Sequence, residues 1–571
     1  MKLQKSFPSI KGFSLPDIIV LVMFFSIVGI IFFLGSQWKG DLASVANISL
    51  EYKYLPLYVI QSVSRIAIAY LLSLLFSITY GYITKRNKVT EVVMISLLDI
   101  LQSIPVLSFL PGVLLAMISL FPNKRIGVEL ASIILIFTGQ VWNMAFSYYH
   151  SVSTVPRDMI EVAKVNHFSK FYKFLRIDLP FSSIGLVWNS MMSVAGGWFF
   201  LMACEMFVVK GKDFRLPGIG SYIQLAANQG EMQKVTLGLG VMIVIIVILD
   251  FLVWRPLVVW TQKFRVDNVQ SEDEKESIVL NLFMTSNIID RLARKFDGFL
   301  DKLNLFMLNI ERRTEKLTTK KSRFSFINLL VIFILFFIFF KGAKSGFSLL
   351  SQLTKDDFIL LLKAGVFSFL RTLAAILLAA LWTIPLGVTI GMKPKVARIL
   401  QPIIQVTASV PATALFPVII FFLIRLGGGL NFGAVFLMLL GTQWYILFNV
   451  IAGATAIPQD LKDMAKLYNL EGWKKWKILI LPGIFPYLIT GLITATGGAW
   501  NATIVSEYVV FGGEVKKTIG LGSLISEASA TGNYSILVAS TLLMALIVIS
   551  LNRLVWKRLF TLAEEKFRIE Q

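Results

Sequence analysis

The chain has 571 residues, 56% of them hydrophobic and 16% charged, with a mean hydropathy of +0.73; most of its length falls into apolar runs of about 20 residues, enough to span roughly 30 Å of hydrocarbon, which excludes a set of soluble domains. One cysteine, Cys204, and two histidines, His150 and His167, exclude a disulfide framework and a Cys/His metal cluster. The formal charge of +21 collects in loops between the apolar runs, as cytoplasmic loops do, and does not argue for nucleic acid as a partner.

Taken in order, Lys2, Lys5 and Lys11 precede a first span over 17–35 and place the N-terminus in the cytoplasm. That apolar run is long and has no clear small-residue cleavage site, so it reads as a span and not as a cleaved leader. A second span, 57–84, returns the chain to the basic cluster Lys85, Arg86 and Lys88. The third, 91–120, contains Pro105 and Pro111; each removes a helical hydrogen bond, which predicts a kinked or broken helix. The fourth, 127–150, delivers a charged segment, 158–180, to the cytoplasm. The fifth, 181–208, leads to an external loop near 209–233, and the sixth, 234–255, ends at Arg255 inside.

Residues 256–323 are the only long polar interval. Within it Ile289, Leu292, Phe296, Phe299, Leu303, Met307 and Ile310 recur at spacings of three and four, while Asp290, Arg294, Lys295, Asp301 and Lys302 fall elsewhere on the wheel. This predicts an amphipathic helix on the inner membrane surface, either a plain connector or a regulatory or partner contact. Further spans follow at 325–341, 361–391, 397–424, 430–455, 483–511 and 533–554, leaving the C-terminus in the cytoplasm. The predicted fold is an all-α polytopic membrane protein with about 12 transmembrane helices. It divides into a first half, 1–262 (core 57–262), a cytoplasmic amphipathic linker, 263–323, and a second half, 324–571 (core 361–571).

The two halves repeat one another. Pro180 and Pro482 are 302 residues apart, and the same offset relates Glu161 to Asp463, Ala163 to Ala465, His167 to Asn469, Trp198 to Trp500 and Glu205 to Glu507. Upstream the offset is 306, relating Arg65 to Arg371 and Pro105 to Pro411. Six spans per copy is an even number, so the repeats are parallel and both charged segments, 158–180 and 460–482, face the cytoplasm. Each segment suits two short helices. His167 and Asn469 stand at their junctions, and both are residue types enriched at positive φ, so a turn is expected there. A soluble partner would receive these helices; the plainer reading is an amphipathic surface loop.

The segments resemble the E-A-A, three residues, G, nine residues, I-x-L-P pattern of permease subunits of binding-protein-dependent ABC importers. The first copy has Glu161, Val162 and Ala163, then His167, then Ile177, Asp178, Leu179 and Pro180; the second has Asp463, Met464 and Ala465, then Asn469, then Leu479, Ile480, Leu481 and Pro482. Neither copy has the usual glycine. QSIPVLSFLPG (102–112), GGWFFLMACEM (196–206), LPGIGSYI (216–223) and LDFLVWRPLVVW (249–260) are similar to the nitrate, sulfonate, taurine and bicarbonate type, and ASVPATALFP (408–417), GGAWNATIVSEY (497–508) and IGLGSLI (519–525) repeat this more loosely. The resemblance implies a type I ABC importer permease fold in a bacterial plasma (inner) membrane, with two permease domains fused in tandem. It implies two cytoplasmic ABC ATPase subunits docked through the two segments, a periplasmic or lipid-anchored solute-binding protein, and a small anion as solute. The chain carries no G-x-x-x-x-G-K-[ST], so ATP is expected on the partner subunits.

Six residues are candidates for the pathway. Trp198 and Glu205 are seven residues apart, as are Trp500 and Glu507, so each pair shares a helical face two turns apart. A glutamate at membrane depth needs a partner, a cavity or a protein interior; these either line a central passage or pack at the outer end of the fifth span against the following loop. Arg65 and Arg371 either attract an anion or pair with an internal carboxylate. Lys210, Lys212 and Arg215 either meet the solute receptor or are solvated loop charges. The main rival reading is a secondary, ion-coupled transporter with two six-span halves, which leaves the matched cytoplasmic segments unexplained; a membrane enzyme has few groups to work with.

Overall fold

The structure, a computed structural model, describes residues 9–10, 13–38, 48–85, 87–122, 125–206, 208–209, 212–264, 277–317, 326–425 and 429–567. Lys2, Lys5, Lys11, Arg86 and Lys210, used above, lie outside these residues, as do parts of the linker.

In the first half the helices are α1 (Leu15–Trp38), α2 (Leu55–Thr84), α3 (Lys88–Ser103), α4 (Leu110–Leu120), α5 (Arg125–Ser153), α6 (Arg157–Val165), α7 (Lys170–Lys173), α8 (Leu179–Cys204), α9 (Ile219–Asn228), α10 (Met232–Leu249) and α11 (Arg255–Gln262). The linker contributes α12 (Ile278–Met284) and α13 (Asn287–Leu317). The second half has α14 (Phe326–Leu350), α15 (Lys355–Met392), α16 (Pro394–Ser409), α17 (Ala412–Arg425), α18 (Leu430–Ala456), α19 (Gln459–Leu467), α20 (Gly472–Lys475), α21 (Leu481–Ser506), α22 (Leu521–Thr531), α23 (Tyr534–Leu551) and α24 (Lys557–Phe567). Among the described residues eight helices are long and apolar enough to cross a bilayer, or nine if the bent pair α16–α17 is one span.

The break expected at Pro105 and Pro111 is present, and it recurs in the second copy, where 397–424 was expected as one span. The α3 helix stops at Ser103, Pro105 takes an extended turn, and Pro111 enters the first turn of α4, where a missing N–H costs least. In the second copy α16 and α17 meet at 84° around Pro411. The helices expected over 181–208 and 483–511 end earlier, at Cys204 and Ser506. The reason is local: Glu205 and Glu507 bind the loops that follow, which leave the helix axis and run into α9 and α22. Residues 508–511 pair with 514–517 as an antiparallel hairpin where a helix was expected.

A wide π turn precedes α8 (Phe174–Asp178) and recurs 302 residues on before α21 (Trp476–Ile480). Each helix then has its proline, Pro180 or Pro482, within its first two residues; a proline in a continuous helix removes one bond and crowds the preceding turn, and the wider turn makes room for the ring. Packing repeats too. Met144, Tyr148, Val152 and Leu186 form a buried cluster whose equivalents Ile446, Val450, Ala454 and Leu488 are buried together in the second half. The largest core joins the halves, setting Trp198 and Ile219 in one cluster with Trp500, Leu521 and Ile525.

Candidate functional site

The charged segments are built alike. Each starts on a proline at the helix N-cap, Pro156 for α6 and Pro458 for α19. Each stops at a left-handed residue: His167 and Asn469, both with φ of 50°, are the only non-glycine residues of positive φ among those described. The Phe168 N–H returns to the Ala163 carbonyl (2.9 Å) and the His167 N–H to the Lys164 carbonyl (3.1 Å); Leu470 to Ala465 (2.8 Å) and Asn469 to Lys466 (3.0 Å) repeat the pattern. This is a Schellman stop, which satisfies carbonyls that the helix end would otherwise leave bare. Ala163 and Ala465 are buried beneath the turn, whereas Val165 and its equivalent Leu467 are 76% and 80% exposed, one turn from exposed Val162 and Met464. Two apolar side chains at matched positions face outward in both copies. On α19, hydrogen bonds from Lys466 (2.8 Å) and Gln459 (3.1 Å) hold the Asp463 carboxyl below the usual carboxylate range.

The Lys85 ammonium at the end of α2 donates to the Val152 carbonyl at the end of α5, so these ends and α6 lie together. The first segment also holds the linker: Arg176 pairs with Asp297 at 2.8 Å and the Tyr172 hydroxyl donates to Asp301 at 2.6 Å.

At the far end of the bundle the acidic and basic candidates meet. Arg65 grips Glu129 through Nε (2.6 Å) and Nη2 (2.9 Å), and donates through Nη1 to Glu205 (2.6 Å) and to the Pro217 carbonyl (3.0 Å). Glu205 also accepts from Ser62 (2.6 Å) and from the Gly220 N–H (2.8 Å), while Arg125 closes on Glu129 at 3.0 Å. In the second half Arg371 donates to Glu507 (3.0 Å) and to the Ile519 carbonyl (2.7 Å), and Glu507 accepts from Ser368 (2.8 Å) and from the Gly522 N–H (2.9 Å). Each glutamate thus satisfies the second N–H of α9 or α22, while the Ser62 or Ser368 hydroxyl accepts from the first, that of Ile219 or Leu521. Gly218 and Gly520 allow this approach: a Cβ on either would lie 2.2 or 2.1 Å from the glutamate carboxylate.

The two clusters differ by one neutral pair. Where the first half has Glu129 the second has Asn431, which accepts from Arg371 at 3.0 Å, and the position equivalent to Arg125 is Gly427. Removing Arg125 and Glu129 together leaves each cluster balanced, as buried charge requires.

A cavity of about 1270 Å³ lies between the halves. Its wall takes Trp142, Asp250 and Trp254 from the first half and their equivalents Trp444, Asn552 and Trp556 from the second. Amides from both halves add Gln102, Asn143, Asn449 and Asn501, and Arg398 joins the wall from α16. The indole N–H groups of Trp142 and Trp556 have no protein partner there. Of the six residues expected on a pathway, Trp198 alone belongs to this wall; Arg65, Glu205, Arg371, Trp500 and Glu507 are buried inside the halves. The i, i+7 spacing explains why: two turns, roughly 10 Å, carry each glutamate past the cavity to the outer end, where the loop folds over it. Asp250 went unnoticed in the sequence because it stands at the inner end of an apolar run, where it reads as an ordinary span terminus; it pairs with Arg255 at 3.0 Å.

A duplicated helical bundle that encloses a cavity between its halves, with a matched short charged helix in each, defines a membrane permease built of two repeats. The model of binding-protein-dependent transport system inner membrane components matches residues 69–254 and again 383–556, and the chain belongs to that family as a tandem of two such domains. It is a multi-pass transport component and not an enzyme. It is 29% identical over 188 residues to the nitrate import permease protein of Leptolyngbya laminosa, covering 33% of this chain and 64% of that protein. It is 32% identical over 151 residues to the bicarbonate transport system permease protein of Synechocystis sp. (26% and 51%), and 26% identical over 185 residues to the taurine transport system permease protein of Escherichia coli (32% and 64%). The matched region spans less than two thirds of the length of each of these three relatives.

Proposed function

We propose that this chain supplies both transmembrane halves of an ATP-driven ABC importer, with about twelve spans and both termini cytoplasmic. Residues 158–180 and 460–482 dock two ATPase subunits, and ATP-driven closure of those subunits rocks the halves about the central cavity. Glu161, Ala163, His167 and Pro180, with Asp463, Ala465, Asn469 and Pro482, form the docking segments. The observation that carries this reading is the matched exposure of Val165 and Leu467 beside matched left-handed stops. Apolar side chains held out in water at equivalent places are what a partner groove would bury, at roughly 25 cal/mol per Å².

The passage is the cavity between the halves, and the solute is a small anion of the nitrate, bicarbonate or taurine kind, delivered by a separate binding protein at the outer face. Unpartnered indole N–H donors and wall amides, with Arg398 at the wall, suit an anion that is held by hydrogen bonds and released again. Copurification with the cognate ATPase tests the docking. Val165→Asp together with Leu467→Asp places charge on both docking faces while leaving the Schellman stops intact, and should abolish association. Full association of a folded double variant would refute it.

A further inference from the structure

The linker helix α13 is tied down at two places. At its start Asp17, in the first turn of α1, accepts hydrogen bonds from the Ser286 hydroxyl (2.7 Å) and the Ile288 N–H (3.0 Å). Further along, Asp297, Asp301 and Asn304, spaced four and three and so on one face, hold Arg176 (2.8 Å), Tyr172 (2.6 Å) and the Ser169 N–H (2.9 Å). Both anchors are points where an apolar helix begins, α1 at Leu15 and α8 at Leu179. Eighteen residues separate Ser286 from Asn304, roughly 27 Å of helix, so α13 bridges the starts of the two apolar helices.

On the side away from α7, Leu292, Phe296, Phe299 and Phe306 are 57–61% exposed in a row at helical spacing. Arg291, Lys295 and Lys302, all exposed, line one flank of that row. The acidic residues of the same stretch are turned toward α7, where Arg176 and Tyr172 engage them, so the outer side of the helix is apolar and cationic.

We infer that α13 is an interfacial helix whose phenylalanine row enters the cytoplasmic leaflet of an anionic bilayer, with Lys295 and Lys302 against lipid phosphates. The argument is charge complementarity together with depth. A long apolar row held at the level where two apolar helices begin meets acyl chains before any soluble surface, and the flanking cations match anionic headgroups. The ion pair that seats the helix is particular to the first half: at the position equivalent to Arg176 the second half has Ile478, whose side chain has no donor for a carboxylate. The inference stands independently of what docks at residues 158–180.

The test reconstitutes the full chain, in a Cys204→Ala background, into vesicles of equal phosphatidylcholine and phosphatidylglycerol. A fluorophore is placed at Phe296→Cys, at Phe299→Cys or, as control, at Arg294→Cys. Brominated acyl chains should quench the labels at 296 and 299 several-fold more than the label at 294, and aqueous acrylamide should show the reverse order. In pure phosphatidylcholine, or with Lys295→Gln and Lys302→Gln in the anionic vesicles, the lipid quenching at 299 should fall. Acrylamide reaching 296 and 299 freely, or neither quencher reaching them because protein covers the row, would overturn the inference. Equal lipid quenching in both vesicle types would overturn the role of anionic lipid.

Discussion

His167 and Asn469 occupy a backbone conformation that glycine adopts at no steric cost, and the family pattern has glycine at this position. Exchanging either for glycine should leave the turn in place and change stability by no more than about 1 kcal/mol, since the lost strain is offset by a freer unfolded chain. A β-branched valine there should cost about 1–2 kcal/mol. Thermal unfolding of the purified protein in detergent compares these variants. The left-handed turn was legible in the sequence because both residues are among the few non-glycine types that tolerate it. The ion clusters were legible only by half: Glu205 and Glu507 stand out as acids in apolar runs, but Arg65 lies 140 residues from Glu205 and 64 from Glu129, and no local pattern joins them. The comparison of copies supplies a test. Glu129→Asn alone strands Arg125 beside Arg65, whereas Glu129→Asn with Arg125→Ala restores the charge balance of the second half. A double-mutant cycle should show a favourable coupling of roughly 0.5–3 kcal/mol between positions 125 and 129, and strict additivity would contradict the pairing.

Among elements, the eight long apolar helices and α13 followed from apolar length and three-four periodicity, and the prolines foretold the break in the third span, though the matching break at Pro411 was not read from the sequence. The helices α9 and α22 were missed. They are short, lie in stretches rich in glycine, and are fixed from outside by Glu205 and Glu507, so propensity alone carried no signal for them. The side of the linker that contacts the bundle was equally hidden, because Asp297 and Asp301 read as solvated charges until Arg176 and Tyr172 come beside them. Arg176→Ile installs the residue that the second half has at that position. It should loosen the middle of α13, seen as faster amide exchange over 290–310, while the first-segment turn at His167 stays protected. An unchanged exchange pattern would show that the Arg176–Asp297 contact does not hold the linker.

At the scale of the whole molecule, duplication is plain in the sequence, but the apposition of the two copies is not. Their contact depends on bonds across long separations: Gln224 donates to the Val510 carbonyl at 3.0 Å, the Gly512 N–H to the Ala227 carbonyl at 3.3 Å, and Thr413 to the Phe199 carbonyl at 3.3 Å. With these in place, equivalent tryptophans from both halves face one cavity, and each matched charged segment holds one apolar side chain, Val165 or Leu467, out to the surface. On the proposed function a single chain stands in for a permease dimer, and the linker is tied to the first half through Arg176 and Tyr172. The central claim is therefore one of stoichiometry. Native mass measurement of the complex purified with its ATPase should find one 64.0 kDa chain for every two ATPase subunits. Two copies of this chain per ATPase pair, or a chain that carries no ATPase at all, would contradict it.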